Sequence, residues 1–173
     1  GGVLARWNGT SVVSAALPAA MGRTLRAVFG VTPLGAWMGG DGGMLLYWNG
    51  TSASAAPSPI SDTIYGIWGS AANNLWAVAD RGRVLHFDGS AWSIDAQASA
   101  LSTTALRAIA GSSDTQIYAV GDGGVMLRFD GTSWSALDTG TDRSLSALWI
   151  DAAGTVVVAG QMGSIFRYLP TKQ

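Results

Sequence analysis

The sequence predicts an all-β protein made of repeated groups of four short antiparallel strands, and two observations support this prediction. The first is composition: the 173 residues include 24 glycines and 8 tryptophans, and all 11 acidic residues are aspartates. Aspartate and glycine fit tight turns. Glutamate and lysine are typical of exposed helices, so the absence of glutamate and the scarcity of lysine point away from helices. The second is a motif, an aromatic residue followed by Asn-Gly or Asp-Gly, which recurs about every 40 residues. Its copies are Trp7-Asn8-Gly9, Trp48-Asn49-Gly50, Phe87-Asp88-Gly89 and Phe129-Asp130-Gly131.

Each repeat contains four strand-like segments, here called a to d in chain order. Strand a is predicted at Leu25–Phe29, Ile64–Trp68, Leu106–Ala110 and Leu145–Trp149. Strand b is predicted at Ala36–Gly39, Leu75–Val78, Ile117–Val120 and Val156–Ala159. A glycine-bearing turn then leads to strand c, for example Val84–Phe87 and Val125–Phe129. The Asn-Gly or Asp-Gly pair supplies a hairpin turn to strand d, which we expect to be centred on Trp92 or Trp134 in two copies.

Four antiparallel strands in about 40 residues is the period of a β-propeller blade. We expect one propeller domain over residues 1–173, with the recurring aromatics wedged between neighbouring blades. Its parts are strands c and d of one blade (1–20), three full blades (21–60, 61–101 and 102–141) and strands a to c of a last blade (142–173). Two arrangements fit these four blade equivalents. The N-terminal segment could complete the last blade, leaving one c strand surplus, or a second copy or a longer chain closes a larger ring; we favour the second.

The segment Leu106–Trp134 shows the repeat most completely and points to a family. It resembles the blade repeat of bacterial secreted and surface-attached β-propellers, which are similar to the kelch, WD40/YVTN and Ycf48-type groups. The Gly-His and Trp-Asp signature of WD40 blades is missing, and so is the Ser-x-Asp-x-Gly-x-x-Trp box of sialidase-like blades. The resemblance implies a propeller scaffold on an exported bacterial protein, in an extracellular, periplasmic or cell-surface location. It does not imply a particular activity, because propellers host many functions.

The charge and residue inventory excludes several classes of function. The net charge is -1 and the arginines are dispersed, which argues against a nucleic-acid partner. No apolar run approaches the roughly 20 residues of a membrane-spanning helix. Without cysteine and with a single histidine, no metal or other cofactor is expected.

His86 is the natural candidate for a general base. The equivalent positions in the other repeats are Arg6, Tyr47, Arg128 and Arg167, so we interpret His86 as a structural residue of strand c. We therefore expect no enzymatic activity from these residues. The Asn8 and Asn49 glycosylation sequons are read as turn formers that match by accident.

The candidate binding residues are charged groups in two sets of loops. Asp41, Asp80 and Asp122 occupy one register in the turn between strands b and c, with Arg81 beside Asp80. They could form a polar rim for a cation, a sugar or a basic partner, but aspartate before glycine is also ordinary turn chemistry, which we favour. The linkers from strand d to the next strand a vary most, and propeller topology places them on the same face as the b–c turns. They contribute Arg23, Asp62, Asp142 and Arg143.

The leading hypothesis is a non-catalytic scaffold that binds a protein partner. A carbohydrate-binding propeller is the second, and it requires aromatic residues repeated and exposed on one face. The third is a fragment of a propeller hydrolase or lyase with its catalytic residues on other blades.

Overall fold

The computed structural model describes residues 3–7, 9–16, 22–32, 35–151 and 153–169, which form five separate antiparallel sheets and one short helix. The two-stranded sheet consists of β1 (Val3–Trp7) and β2 (Val12–Ala16). Blade 1 consists of β3 (Leu25–Gly30), β4 (Ala36–Gly40), β5 (Leu45–Trp48) and β6 (Ala53–Ala55). Blade 2 consists of β7 (Ile64–Ala71), β8 (Asn74–Ala79), β9 (Val84–Phe87) and β10 (Trp92–Ile94).

Blade 3 consists of β11 (Leu106–Ser113), β12 (Gln116–Gly121), β13 (Met126–Phe129) and β14 (Trp134–Leu137). The last, three-stranded sheet is blade 4, with β15 (Leu145–Ile150), β16 (Val156–Gly160) and β17 (Ile165–Tyr168). In every sheet the strands are hydrogen-bonded in chain order. The predicted all-β fold of four-stranded antiparallel blades is therefore confirmed.

Two details differ from the sequence-based expectation. Trp92 and Trp134 begin strand d instead of forming its centre, because the hairpin turn ends directly before them. A helix, α1 (Ala96–Ser99), forms in the linker after blade 2, where we expected a loop. The carboxylate of Asp95 caps it by accepting a hydrogen bond from the Ala98 N–H at 2.7 Å. Asn8, which we interpreted as a turn former, lies outside the described residues, as does the side chain of Trp7.

The turn between strands b and c has one geometry in all four blades and contacts the preceding d–a linker. The N–H of its first residue donates to a linker carbonyl just before strand a, for example from Asp80 to Thr63 at 3.0 Å and from Asp122 to Ala105 at 2.9 Å. The third residue is a glycine with positive φ that contacts the following linker: a Cβ on Gly82 would lie 2.0 Å from the Ser102 carbonyl oxygen. The linkers and the b–c turns therefore share one face, as expected.

Aromatic side chains fill the spaces between blades, as predicted. Between blades 1 and 2, the ring centroid of Trp37 lies 5.0 Å from Phe87 and 5.4 Å from Trp92. The same arrangement recurs between blades 2 and 3 with Trp76, Phe129 and Trp134, at 5.0 and 5.3 Å. A third buried cluster packs Tyr118 and Val120 of blade 3 against blade 4.

The described sheets do not close on each other by strand exchange, since β17 pairs only with β16 and β1 only with β2. Side chains at the two ends of the row of blades are exposed where their counterparts are buried. Val28 is 68% exposed, whereas Ile67 and Ile109 at the same register are buried against the preceding blade. On the last blade, Trp149 is 61% and Ile165 is 74% exposed.

Candidate binding site on the turn face

The b–c turns and the d–a linkers form one surface, here called the turn face, and all eight sequence-predicted residues belong to it. Asp41, Asp80 and Asp122 directly follow strand b in successive blades. The linkers place the other charged side chains next to these turns, because the backbone hydrogen bonds described above hold each turn against its linker.

The structure pairs several of the predicted residues. Asp62 is the most buried of the paired acids, and its carboxylate lies 3.3 Å from Arg81 Nε and 3.9 Å from Arg83 Nε. Arg23 Nη1 donates to the Gly42 carbonyl at 3.0 Å, which ties linker to turn.

Other predicted residues are less engaged. Arg143 Nη1 donates to Ser164 Oγ at 3.3 Å. The carboxylates of Asp80 and Asp142 form no hydrogen bond or ion pair with any residue in the described part of the chain. The predicted residues are thus spread over the turn face instead of converging on one point.

Two further arginines on strand a, which were not predicted as site residues, form ion pairs with two of the predicted aspartates. Arg26 Nε donates to Asp41 Oδ1 at 2.6 Å. Arg107 binds Asp122 with two hydrogen bonds, Nε to Oδ1 at 3.0 Å and Nη2 to Oδ2. Such a pair of parallel hydrogen bonds fixes the orientation of the guanidinium, in addition to the attraction between the opposite charges.

Tyr65 occupies the same register of strand a in the blade between them. The guanidinium carbon of Arg107 lies 4.4 Å from the Tyr65 ring centroid, and that of Arg26 lies 5.7 Å away on the neighbouring blade. Both distances fall within the range of a cation–π contact. Arg26, Tyr65 and Arg107 therefore form a continuous line across three blades, here called the inner row, because strand a is where adjacent blades approach each other most closely.

Hydrogen bonding sets the electrostatics of the inner row. The hydrogen bond from Arg26 lowers the pKa of Asp41, and those from Arg107 lower the pKa of Asp122. The same contacts raise the pKa of both arginines. Both ion pairs are consequently intact at neutral pH. Each guanidinium has five N–H donors, so N–H groups of Arg26 and Arg107 not used by aspartate can bind a ligand.

A signal for the inner row was present in the sequence. The second residue of strand a is Arg26, Tyr65, Arg107 or Ser146 in successive repeats. A long polar side chain on the innermost strand of a blade does not pack in the apolar space between blades. It must therefore extend along the ring or into solvent. Alignment of the repeats brings these four residues to one position, but the aspartates of the b–c turns form the clearer repeated pattern.

Shallow grooves accompany the inner row on the turn face. One of about 400 Å³ lies beside Arg23, Ser58 and Ile60. Another of about 230 Å³ lies beside Leu101 and Thr139. Each is bounded by a b–c turn and a d–a linker, one at blade 1 and the other at blade 3.

His86 is held by structural contacts. Its Nε2 lies 2.8 Å from Asn74 Oδ1 and its ring centroid 4.3 Å from that of Trp76. Burial lowers its pKa. In the described residues no three His, Cys, Asp or Glu side chains cluster in a way that could hold a metal ion. A search of the same residues identifies no helix with the length and apolar character needed to cross a bilayer.

Comparison with known proteins identifies structural neighbours only. No protein-family model and no curated protein matches the chain. Ycf48 from Cyanidioschyzon merolae superposes with a TM-score of 0.67 at 16% identity, over 84% of this chain and 50% of that one. Ycf48 bound to D1 peptide gives a TM-score of 0.66 at 18% identity, over 87% of this chain and 52% of that one. The chain thus spans about half the length of these two proteins.

A third neighbour is the extracellular domain of BT3049 from B. thetaiotaomicron. Its TM-score is 0.65 at 16% identity, over 87% of this chain and 22% of that one. At such identities the similarity establishes the propeller fold and nothing finer.

Proposed function

We propose that this chain is a non-catalytic β-propeller module that binds a peptide segment of a protein partner on its turn face. The observation that supports this proposal most strongly is the inner row. Two arginines, each fixed by an aspartate, flank one tyrosine on the innermost strands of three successive blades.

The chemistry of the inner row suits an extended peptide. Free guanidinium N–H groups donate to main-chain carbonyls or to carboxylates, and the tyrosine between the two arginines holds them in line. The neighbouring grooves can accept small side chains. Because the aspartates already orient both arginines, less side-chain entropy is lost when a ligand binds.

Two structural neighbours support the proposal by analogy. Ycf48 has been observed bound to a peptide, which is a property of that protein. The neighbour from B. thetaiotaomicron is an extracellular domain. We extend both to this chain: a peptide-binding module, exported to an extracellular, periplasmic or cell-surface location.

The exposed ends of the row of blades suggest a further partner for assembly. A second copy of the chain, or more propeller sequence, would cover Val28 at one end and Trp149 at the other. Carbohydrate binding receives less support, because the recurring tryptophans at Trp37, Trp76 and Trp134 are buried between blades and present no face to a sugar.

Selection of binders from a random peptide library, followed by measurement of their dissociation constants, tests the proposal. Arg107→Gln and Arg26→Gln should each weaken selected peptides by about tenfold, the effect of losing one charge-assisted hydrogen bond. Arg107→Lys should restore only part of the affinity, since an ammonium keeps the charge without the pair of parallel hydrogen bonds. The matched control is Arg167→Gln, which removes an exposed arginine on blade 4, away from the inner row.

Equal affinity of all four variants would place the binding elsewhere. Failure to select any saturable peptide from the library would contradict the proposed function itself.

A further inference from the structure

Two grooves between blades have the same aromatic walls, but the described residues fill only one of them. The first, between blades 2 and 3, is formed by Trp76, Phe129 and Trp134; the second, between blades 1 and 2, by Trp37, Phe87 and Trp92. Phe87 and Trp92 lie 5.3 Å apart, as do Phe129 and Trp134. These are called the filled groove and the open groove below.

In the filled groove, helix α1 occupies the space. Ala98 is fully buried there and belongs to the same apolar cluster as Trp76 and Trp134. The side-chain amide of Gln97 binds both main-chain groups of Trp134: Nε2 donates to the Trp134 carbonyl at 3.0 Å, and Oε1 accepts from the Trp134 N–H at 2.8 Å. A carboxamide carries an N–H donor beside a C=O acceptor, as the backbone itself does, and therefore matches both groups of Trp134.

The open groove presents the same backbone edge without a filling segment. Trp92 pairs with Phe87 in the register in which Trp134 pairs with Phe129, and both pairs directly follow the hairpin turn. The N–H and C=O of Trp92 therefore point away from β9, toward the groove, as those of Trp134 point toward Gln97. Among the residues that the structure describes, no side chain binds Trp92 as Gln97 binds Trp134.

The difference between the grooves originates in the linkers. The linker that follows blade 2 occupies 95–105, whereas the one that follows blade 1 occupies only 56–63 and starts Ala56-Pro57. Ala56 takes the place of Asp95, since both N–H groups bind the first residue of strand c, Ala56 to Leu45 and Asp95 to Val84 at 2.9 Å. Without the capping carboxylate and the extra length no helix forms, and about 340 Å³ stays open beside Pro57.

We propose that the open groove is a second binding site, which takes a peptide segment presenting a glutamine side chain to the backbone of Trp92 with a small apolar residue next to it. The ligand's carboxamide forms with Trp92 the two hydrogen bonds that Gln97 forms with Trp134. Its small neighbour packs on Trp37 and Tyr47, where Ala98 lies in the filled groove. This site is independent of the inner row, because the groove is formed by strands b, c and d of adjacent blades and not by strand a.

The chain supplies its own probe, a capped synthetic peptide with the sequence of residues 95–101. Titration of the ¹⁵N-labelled protein with this peptide, followed by NMR, suits the weak affinity of so short a ligand. The Trp92 backbone amide should shift saturably, because its N–H gains an acceptor, while the Trp134 amide, already bonded to Gln97, should not. A peptide with leucine in place of the glutamine should bind about tenfold more weakly or worse.

A protein variant provides the second arm. Ala91→Trp places a bulky side chain on the exposed rim of the open groove and should abolish the shift of Trp92. Ser133→Trp introduces the same change at the equivalent rim position of the filled groove and should leave peptide binding unchanged. Both sites lie in hairpin turns, and Ala91 contributes only backbone hydrogen bonds to its turn.

Three outcomes would overturn the proposal: no saturable shift at millimolar peptide, equal affinity of the glutamine and leucine peptides, or shifts at the inner row in place of Trp92. None of them contradicts peptide binding at the inner row, so the two proposals fail separately.

Discussion

Tyr65 and Arg107 hold the same register in neighbouring blades, yet one is aromatic and the other cationic, and the guanidinium carbon of Arg107 lies 4.4 Å from the Tyr65 ring centroid. A repeat protein with identical blades would place like charges side by side at this position. Replacing the middle arginine with tyrosine converts a repulsive row into an attractive one. The inner row is therefore a product of variation between the blades, on a scaffold that the repeats hold constant.

The first prediction concerns this contact. Tyr65→Leu should lower the free energy of unfolding by about 1 kcal/mol, since it removes a partly desolvated cation–π interaction and some ring packing. Tyr65→Phe retains the ring and should stay within about 0.5 kcal/mol of the wild type. Urea denaturation measures both. Equal destabilisation by the two substitutions would assign the effect to the hydroxyl and not to the ring face.

The second prediction is a pH dependence from Asp122. Arg107 lowers the pKa of Asp122 below 3.8 in the folded state, so this pair stabilises the fold fully above the unfolded pKa and less as pH falls through the folded one. Asp122→Asn should lower stability by about 1 kcal/mol at pH 7, and the difference from the wild type should shrink below about pH 4. Thermal unfolding at several pH values gives the comparison. A difference that is constant from pH 7 to pH 3 would contradict the assignment.

The third prediction uses the hairpin turns, where Asp88 and Asn49 are equivalent. Backbone N–H groups of Ala91 and Ser90 lower the pKa of Asp88 to about 2. Asn49 Oδ1 accepts the same pair of bonds, at 2.9 Å from Thr51 and from Ser52. Asp88→Asn should therefore leave stability at neutral pH nearly unchanged and remove the part of the acid sensitivity that lies between about pH 4 and pH 2. Acid titration of both proteins by circular dichroism tests this, and a large loss at pH 7 would contradict it.

The fold was accessible from sequence because its physical causes are local. The Asn-Gly and Asp-Gly pairs fix the hairpins, period-two patterning fixes the strands, and the recurring aromatics fix which faces pack between blades. Helix α1 was missed because it consists of four residues and depends on one capping carboxylate, Asp95. So short a helix has almost no periodic signal.

The candidate binding site could be predicted only in part, for a different reason. Asp41 and Asp122 could be predicted from the sequence of their turns. The inner row depends on which residues of strand a lie side by side in neighbouring blades, and no local sequence pattern predicts this arrangement. The open groove could not be predicted either, because it depends on a difference between two interblade spaces. Helix α1 with Gln97 occupies one of them, and the shorter linker after blade 1 leaves the other open.

The fourth prediction concerns the two glycines at the end of the third b–c turn. A Cβ at Gly124 would lie 1.8 Å from the Thr141 carbonyl oxygen, and φ there is +74°, so Gly124→Ala should destabilise by about 3 kcal/mol or more. Gly123 has a similar φ of +71° but nothing within 4 Å of its Cβ position. The equivalent positions in other turns hold Arg81 and Met162, so Gly123→Ala should cost only about 1 kcal/mol. Denaturant midpoints of the two variants compare the effects directly. Similar losses would show that backbone strain alone, and not the contact with the linker, sets the requirement for glycine.

The last prediction concerns the exposed end of the row of blades. Trp68 and Trp149 share a register on strand a, but Trp68 packs against blade 3, where its ring lies close to Gly111, whereas Trp149 is 61% exposed. In a monomer, Trp68→Ala should destabilise by about 3 kcal/mol and Trp149→Ala by less than about 0.5 kcal/mol. Unfolding measured at two protein concentrations separates the monomer from an assembly. If Trp149→Ala destabilises only at the higher concentration, another copy covers this face in solution, because a contact between chains gains strength with concentration and a contact within one chain does not.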